Sequence, residues 1–294
     1  MNILALVASP PLLAQQSAQD WASLVGQRFR AERDVVYRSA PTDNGSGNVS
    51  LKLDLYIPYD KSPGPTMLYL HGGGWQTGSK EQYVLWYLPY LQLGFRVVAV
   101  QYRLSGLAPA PAAIEDCRCA FRWVARNGEK YGIDPKRIVV TGGSAGGHLA
   151  LLTAMLDESF DGPCNDSGPA PKALAVINYY GATDMEELLA EGRPYLSRWF
   201  RAPGDAKQLA RRMSPLIWVK RGVPPVLTLH GDADKSIPYT QSVRLHDALS
   251  KAGVANELIT IQGGAHGRHT WTDNDTIRVQ RAIETFLKKQ QIIH

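Results

Sequence analysis

Short apolar runs recur along this chain, and longer stretches of mixed apolar and polar residues separate them. The runs at 66–70, 96–101, 138–141, 174–179, 225–229 and 257–261 read as strands, and 66–70 is a near-continuous apolar run of the kind buried on both faces. Helices are expected near 80–93, 110–130, 145–156, 241–252 and 273–289, with a short polar helix at 20–33. Two earlier segments behave differently. Asp34-Val35-Val36-Tyr37-Arg38 and Leu51-Lys52-Leu53-Asp54-Leu55-Tyr56-Ile57 read as an opening antiparallel hairpin, turned at Asn44-Gly45-Ser46-Gly47. Strands alternating with helices imply an α/β fold. Its central sheet is mostly parallel, with an N-terminal antiparallel hairpin and helices on both faces. Such sheets bind ligands at the carboxyl ends of their strands. Residues 19–294 are read as a single domain, and residues 185–221 interrupt its alternation as a small lid-like insertion.

One strand leads straight into chemistry. Val139-Val140-Thr141 is followed by Gly142-Gly143-Ser144-Ala145-Gly146-Gly147 and then by helix-forming residues. A Gly-x-Ser-x-Gly sequence between strand and helix is a nucleophile elbow: small neighbours allow a turn so tight that the serine hydroxyl stands out alone. Ser144 is the candidate nucleophile, and the N–H of Ala145, at a helix start, suits developing negative charge.

A serine hydroxyl needs a base, a carboxylate behind that base, and further oxyanion donors. Strand 66–70 runs into His71-Gly72-Gly73-Gly74-Trp75, where bare backbone N–H groups allow close approach of a substrate oxygen. Gly72 and Trp75 are candidate substrate contacts there. Strand 225–229 leads to His230-Gly231-Asp232-Ala233-Asp234, which offers two acids. Asp234 is preferred over Asp232 because it lies further along the loop, and Asp184 is a third candidate. Strand 257–261 precedes Gly263-Gly264-Ala265-His266-Gly267, a small-residue loop that suits a base, with His269 as local competitor. His148 is expected to be packed, His71 and His230 to fix loops, and His246 to lie at the surface of a helix. The chain order Ser144, Asp234, His266 is the order of α/β-hydrolases.

These segments, with Gln101-Tyr102-Arg103-Leu104, resemble the hormone-sensitive-lipase-like α/β-hydrolases. The chain is most similar to their smaller bacterial feruloyl esterase-like (BD-FAE) members. The likeness covers roughly residues 50 to 290. It implies Asp234 as the acid, and Gly73, Gly74 and Ala145 as the oxyanion donors. Gln101 departs from the acidic residue or Asn that relatives carry before Tyr-Arg, which touches support of the oxyanion loop. The resemblance further implies a serine carboxylesterase acting on short-chain acyl esters, with acetyl or feruloyl esters of plant polysaccharide in range. No cofactor and no metal are expected. An arylformamidase of the kynurenine formamidase type would share the machinery and is the alternative.

Composition changes this picture little. A length of 294 residues with 44% hydrophobic and 20% charged residues suits one globular enzyme domain. The net charge of +5 is mild, and no nucleic-acid motif is present. Basic residues gather at Arg193, Arg198, Arg201, Lys207, Arg211, Arg212, Lys220 and Arg221, as a solvated face or as an attractor of acidic substrates. The partner expected is a small ester, with no membrane span, in a monomer or homodimer. Ile3 to Ala14 resembles the apolar part of a secretory signal within residues 1–18, although no Lys or Arg precedes it and Pro10-Pro11 interrupt it. A secreted or periplasmic location is therefore favoured over a cytoplasmic one. With about thirty residues ahead of the hairpin, no large N-terminal cap is expected. Cys117 and Cys119 point in different directions on one helix, and Cys164 is assigned no partner.

Overall fold

The computed structural model describes residues 27–43, 45, 47–59, 64–164, 171–201 and 204–294. Residues 1–18, read above as a signal, lie outside the described residues. Eight strands form one sheet among those residues: β1 (Phe29–Pro41), β2 (Asn48–Pro58), β3 (Thr66–Leu70), β4 (Arg96–Val100), β5 (Ile138–Gly143), β6 (Ala175–Tyr179), β7 (Val226–Gly231) and β8 (Asn256–Ile261). Their order is β1-β2-β4-β3-β5-β6-β7-β8. The pairs β1·β2 and β2·β4 are antiparallel, and all the others are parallel.

Helices among the described residues include α1 (Val84–Gln92), α2 (Ala112–Asn127), α3 (Ala145–Met155), α4 (Met185–Ala190), α5 (Pro194–Trp199), α6 (Ala206–Arg212), α7 (Tyr239–Lys251) and α8 (Asp273–Lys289). Strand pleating divides the core. Leu68 and Leu70 join a cluster with α2, α3 and α7, while Met67 and Tyr69 join one with α1 and α8. Each buried strand is therefore apolar at nearly every position: all five residues of β3 and all five of β4 are buried, with Thr66 and Arg96, at the strand starts, as the polar exceptions. Helix α3 is apolar around nearly its whole circumference and is buried accordingly.

Three expectations change. Residues 29–33, read as helix, belong to β1, where Phe29 and Arg30 pair with Pro58 and Ile57. Ladder hydrogen bonds to β2 outweigh the local helix preference of this charged stretch. Cys164 does have a partner: it is disulfide-bonded to Cys119, with Cα atoms 5.4 Å apart, and Cys117 is the buried thiol. The turns at Glu158–Phe160 and Gly162–Cys164 fold this loop back over α2. His246 is 7% exposed rather than superficial. Its Nδ1 lies 2.8 Å from Asn256 Oδ1, across the gap between α7 and β8.

Candidate active site

The elbow forms as its glycines require. A Cβ on Gly142 would stand 2.5 Å from the Gly146 carbonyl, so any larger residue would force β5 and α3 apart. Ser144 sits between them at φ 57° and ψ −122°, a conformation that L-residues seldom adopt and that packing on both sides must enforce. Its own N–H donates to Tyr179 O (2.9 Å), which ties the apex to the end of β6.

Three strand ends bring three side chains together. His266 Nε2 lies 2.8 Å from Ser144 Oγ, and His266 Nδ1 lies 2.7 Å from Asp234 Oδ2. The second oxygen, Asp234 Oδ1, accepts from the N–H groups of Ser236 (2.8 Å) and Ile237 (3.0 Å). His230 Nε2 also reaches Oδ2, at 3.2 Å. Burial of Asp234 works against its charge. The hydrogen bonds from His230, His266 and the Ile237 N–H outweigh that penalty and hold the carboxyl well below the ordinary carboxylate range. Asp234 is therefore ionised at neutral pH. His266 Nδ1 then carries the proton, which leaves Nε2 to accept from the serine hydroxyl.

The glycine loop closes the other side. Gly73 and Gly74 adopt φ 113° and 59°, and a Cβ on Gly73 would collide with the Thr77 carbonyl. Gly73 O accepts from Gln76 and Thr77 N–H, both at 3.0 Å, so the loop is internally braced. Tyr102 supports it from beneath: its ring stacks on His71 and its hydroxyl donates to His71 O at 2.8 Å. Gln101 Oε1 accepts from Lys80 N–H (3.2 Å), and Lys80 Nζ pairs with buried Asp54 (2.9 Å). The departure at residue 101 thus retains an acceptor for the loop.

A cavity of about 380 Å³ opens above Ser144. Gly72, Gly73, Gly74, Trp75, Gly143, Ser144, His266, Gly267 and His269 border it, with Tyr69, Tyr83, Trp86, Tyr180, Tyr195, Ser236 and Ile237. Ala145 opens α3 directly after Ser144, where first-turn N–H groups have no partner within the helix.

A family model described as BD-FAE matches residues 53–249. The chain belongs to the BD-FAE family. Esterase LipQ of Mycobacterium tuberculosis is 33% identical over 262 residues, 83% of this chain and 60% of that protein. Ethyl acetate hydrolase of Pseudomonas putida is 33% identical over 235 residues, 74% of this chain and 71% of that protein. Among solved structures, Thermogutta terrifontis esterase 2 phosphonylated by sarin aligns with a TM-score of 0.76 at 28% identity, covering 90% of this chain and 96% of that one. A truncated carbohydrate esterase from gut microbiota aligns with a TM-score of 0.74 at 25% identity, covering 90% and 96%. The chain spans 54–60% of the length of LipQ and two further curated relatives.

Within this BD-FAE site the rival residues fall elsewhere. Asp232 Oδ1 accepts from Gly263 N–H (2.7 Å) and braces the loop that carries His266. Asp184 caps α4 by accepting from Glu187 N–H at 3.0 Å. His269 borders the cavity, but the contacts to Ser144 and Asp234 are made by His266. His148 is packed, with Nε2 donating to Met213 O at 2.7 Å.

Trp75 borders the cavity, yet it is 1% exposed, and its indole stacks on Trp199 at 4.3 Å between ring centres. His148 packs edge-on against both rings, so oxyanion loop, elbow helix and the 185–221 segment share one aromatic cluster. Of the aromatics in that segment, Trp199 and Phe200 are buried in the core, Trp218 packs on Phe160, and Tyr195 borders the cavity. Several of its basic residues meet local acids: Arg193 with Glu191, Arg201 with Asp43, and Lys207 and Arg211 with Glu186. That pairing favours the solvated-face reading.

Two site residues escaped the sequence reading in their full role. His230 was read as a loop brace, and its contact with the acid depends on how the loop turns back. Tyr180 follows β6 at φ 40° with its ring against His266, 5.0 Å between centres. No sequence pattern marks it.

Proposed function

We propose that this protein is a serine carboxylic-ester hydrolase that acts on short-chain acyl esters through an acyl-enzyme. The observation that carries the proposal is the unbroken chain of contacts from Ser144 through His266 to an ionised Asp234, beside a glycine loop and a cavity.

The geometry supports a role for each residue. His266 Nε2 takes the hydroxyl proton as Ser144 Oγ attacks the ester carbonyl carbon. Asp234 fixes the imidazole tautomer and stabilises the imidazolium that forms. The N–H groups of Gly73, Gly74 and Ala145 receive the negative charge on the carbonyl oxygen, each contributing about 3 kcal/mol at the transition state. Collapse of the tetrahedral intermediate breaks the bond to the alcohol, which leaves with the proton from His266. Water then enters, loses a proton to His266 and attacks the acyl carbon; the bond to Ser144 Oγ breaks, His266 returns the proton to that oxygen, and the carboxylic acid leaves. No step requires a cofactor.

The relatives support this reading. The names reported above are those of ester hydrolases, and the solved esterase phosphonylated by sarin belongs to a chemistry that modifies activated nucleophiles. Nothing among them favours the arylformamidase alternative. The carbohydrate esterase likeness makes acylated polysaccharide a substrate class to test.

A fluorophosphonate probe should label the wild type and not Ser144→Ala, and p-nitrophenyl acetate should be hydrolysed. Labelling with turnover of N-formylkynurenine but of no ester would replace the ester reading by the formamidase one. Absence of labelling would overturn the nucleophile assignment.

A further inference from the structure

Trp86 belongs to two cavities. It borders the 380 Å³ space above Ser144, and it also borders a second cavity of about 100 Å³ with Pro89, Leu93, Tyr179, Val279 and Ile283. Among the described residues no other side chain is common to both linings. The rest of the partition comes from neighbours along the backbone. Tyr180 borders the first cavity and Tyr179 the second; Gly267 and His269 border the first and Arg268 the second.

The indole is held in place. The Arg268 guanidinium lies over its ring at 4.8 Å, Tyr83 meets it edge-on at 5.3 Å, and Tyr179 lies 5.9 Å away. It is also close to the reacting centre. Its Cζ3 lies 3.1 Å from where a Cβ on Gly143, the residue before the nucleophile, would stand.

We propose that Trp86 is the specificity-determining partition of this site. Its indole ends the substrate cavity and excludes alkyl chains that the largely apolar space behind it, which Gln280 and Glu284 also border, would otherwise hold. The inference rests on the ester-hydrolase reading above. The occupant it names is an unbranched alkyl chain, carried by either the acyl or the alcohol half of an ester. Each methylene that enters the joined cavity should gain about 0.8 kcal/mol, or about four-fold in kcat/KM.

The test compares wild type, Trp86→Ala and the milder Trp86→Leu on p-nitrophenyl acetate and octanoate, and on ethyl and octyl acetate. The long-to-short ratio of kcat/KM should rise at least about ten-fold in Trp86→Ala. A rise confined to p-nitrophenyl octanoate places the acyl chain in the joined space, and one confined to octyl acetate places the alcohol chain there. Adding Gln280→Trp, from the wall of the second cavity, should refill that space and return the ratio toward wild type. Ratios within about two-fold of wild type in both series, for whichever Trp86 variant folds, would overturn the partition. So would a wild type that already prefers octanoate. A wild type that hydrolyses no ester and takes no fluorophosphonate would instead overturn the hydrolase reading itself.

Discussion

His230 Nε2 and His266 Nδ1 converge on one atom, Asp234 Oδ2, at 3.2 and 2.7 Å. His230 is fully buried at the end of β7, and its Nδ1 lies 2.7 Å from Ser242 Oγ on α7. With the Ser242 hydroxyl donating to Nδ1, Nε2 carries the proton and shares it between Asp234 Oδ2 and Ile237 O, the latter at 3.1 Å. His230 is thus a positioning residue for the acid, acting through Asp234 and out of reach of a substrate. Replacing His230 by Ala removes a hydrogen bond to a charged group, worth roughly 1.5–3 kcal/mol. The expected outcome is a kcat lower by at least about ten-fold with KM nearly unchanged, and fluorophosphonate labelling slowed in parallel. An unchanged kcat would show that the Ser236 and Ile237 N–H groups hold Asp234 unaided.

The two acids of the 232–234 loop should separate cleanly in activity. Asp234→Asn keeps the shape but lets His266 adopt the wrong tautomer, so kcat should fall by about 10⁴. Asp232→Asn removes only the brace to Gly263 N–H, and kcat should stay within about three-fold. Comparable losses in both variants would count against Asp234 as the acid. Steady-state rates on p-nitrophenyl acetate, with circular dichroism to confirm folding, decide the matter.

Stability should fall in mild acid because of buried histidines, chiefly His71 and His148, with His246 lowered by burial in the same direction. Burial lowers the pKa of His71 and of His148 from 6.5 to about 4. In the unfolded chain each takes up a proton as pH falls through about 6.5, whereas in the folded protein each stays neutral down to about 4. Unfolding therefore binds protons across this window. Folding stability should drop there by about 1.4 kcal/mol per pH unit for each histidine. Urea unfolding at pH 7, 6 and 5 measures the slope. His148→Gln, which keeps a donor for Met213 O, should flatten the slope by the share of one histidine.

The disulfide predicts a change in stability without one in chemistry. Cys119 and Cys164 are 45 residues apart in sequence, and their bond pins the loop after α3 onto α2, away from Ser144. Closing a loop of that length restricts the unfolded chain by about 2–4 kcal/mol. Cys164→Ser should lower the melting temperature by several degrees, while ester turnover at 25 °C stays near wild type. Equal melting temperatures with and without reductant would show that the bond contributes nothing.

Much of the architecture is legible in the sequence, because parallel strands buried on both faces are apolar at most positions. That pattern marks β3, β4, β5 and β7 as short runs with little ambiguity. The elbow is legible for a similar reason: where β3, β5 and α3 meet, a side chain at 142 would strike Leu70 O and the Gly146 carbonyl, and one at 146 would strike Leu70 O and His71 O, so only glycine fits. The segment at 29–33 was misread because its strand character comes from pairing with β2, and its own residues do not encode that partner. The disulfide was missed on the same ground. Helical spacing shows that Cys117 and Cys119 diverge, but no spacing shows where the 158–164 turns will place Cys164.

The sequence by itself therefore determined most of the order of strands and helices, the candidate nucleophile, the glycine loop and the chain order of the catalytic candidates. These depend on local sterics and on apolar patterning, which neighbouring residues specify. Only the tertiary structure decided what depends on distance between segments. It brought His266 rather than His269 to Ser144, and set Asp234 rather than Asp232 behind that histidine. It spent Trp75 on a stack with Trp199, and it gave Trp86 two cavities to divide. Such relations arise where loops from separate strand ends meet, and the packing of the whole sheet sets their geometry.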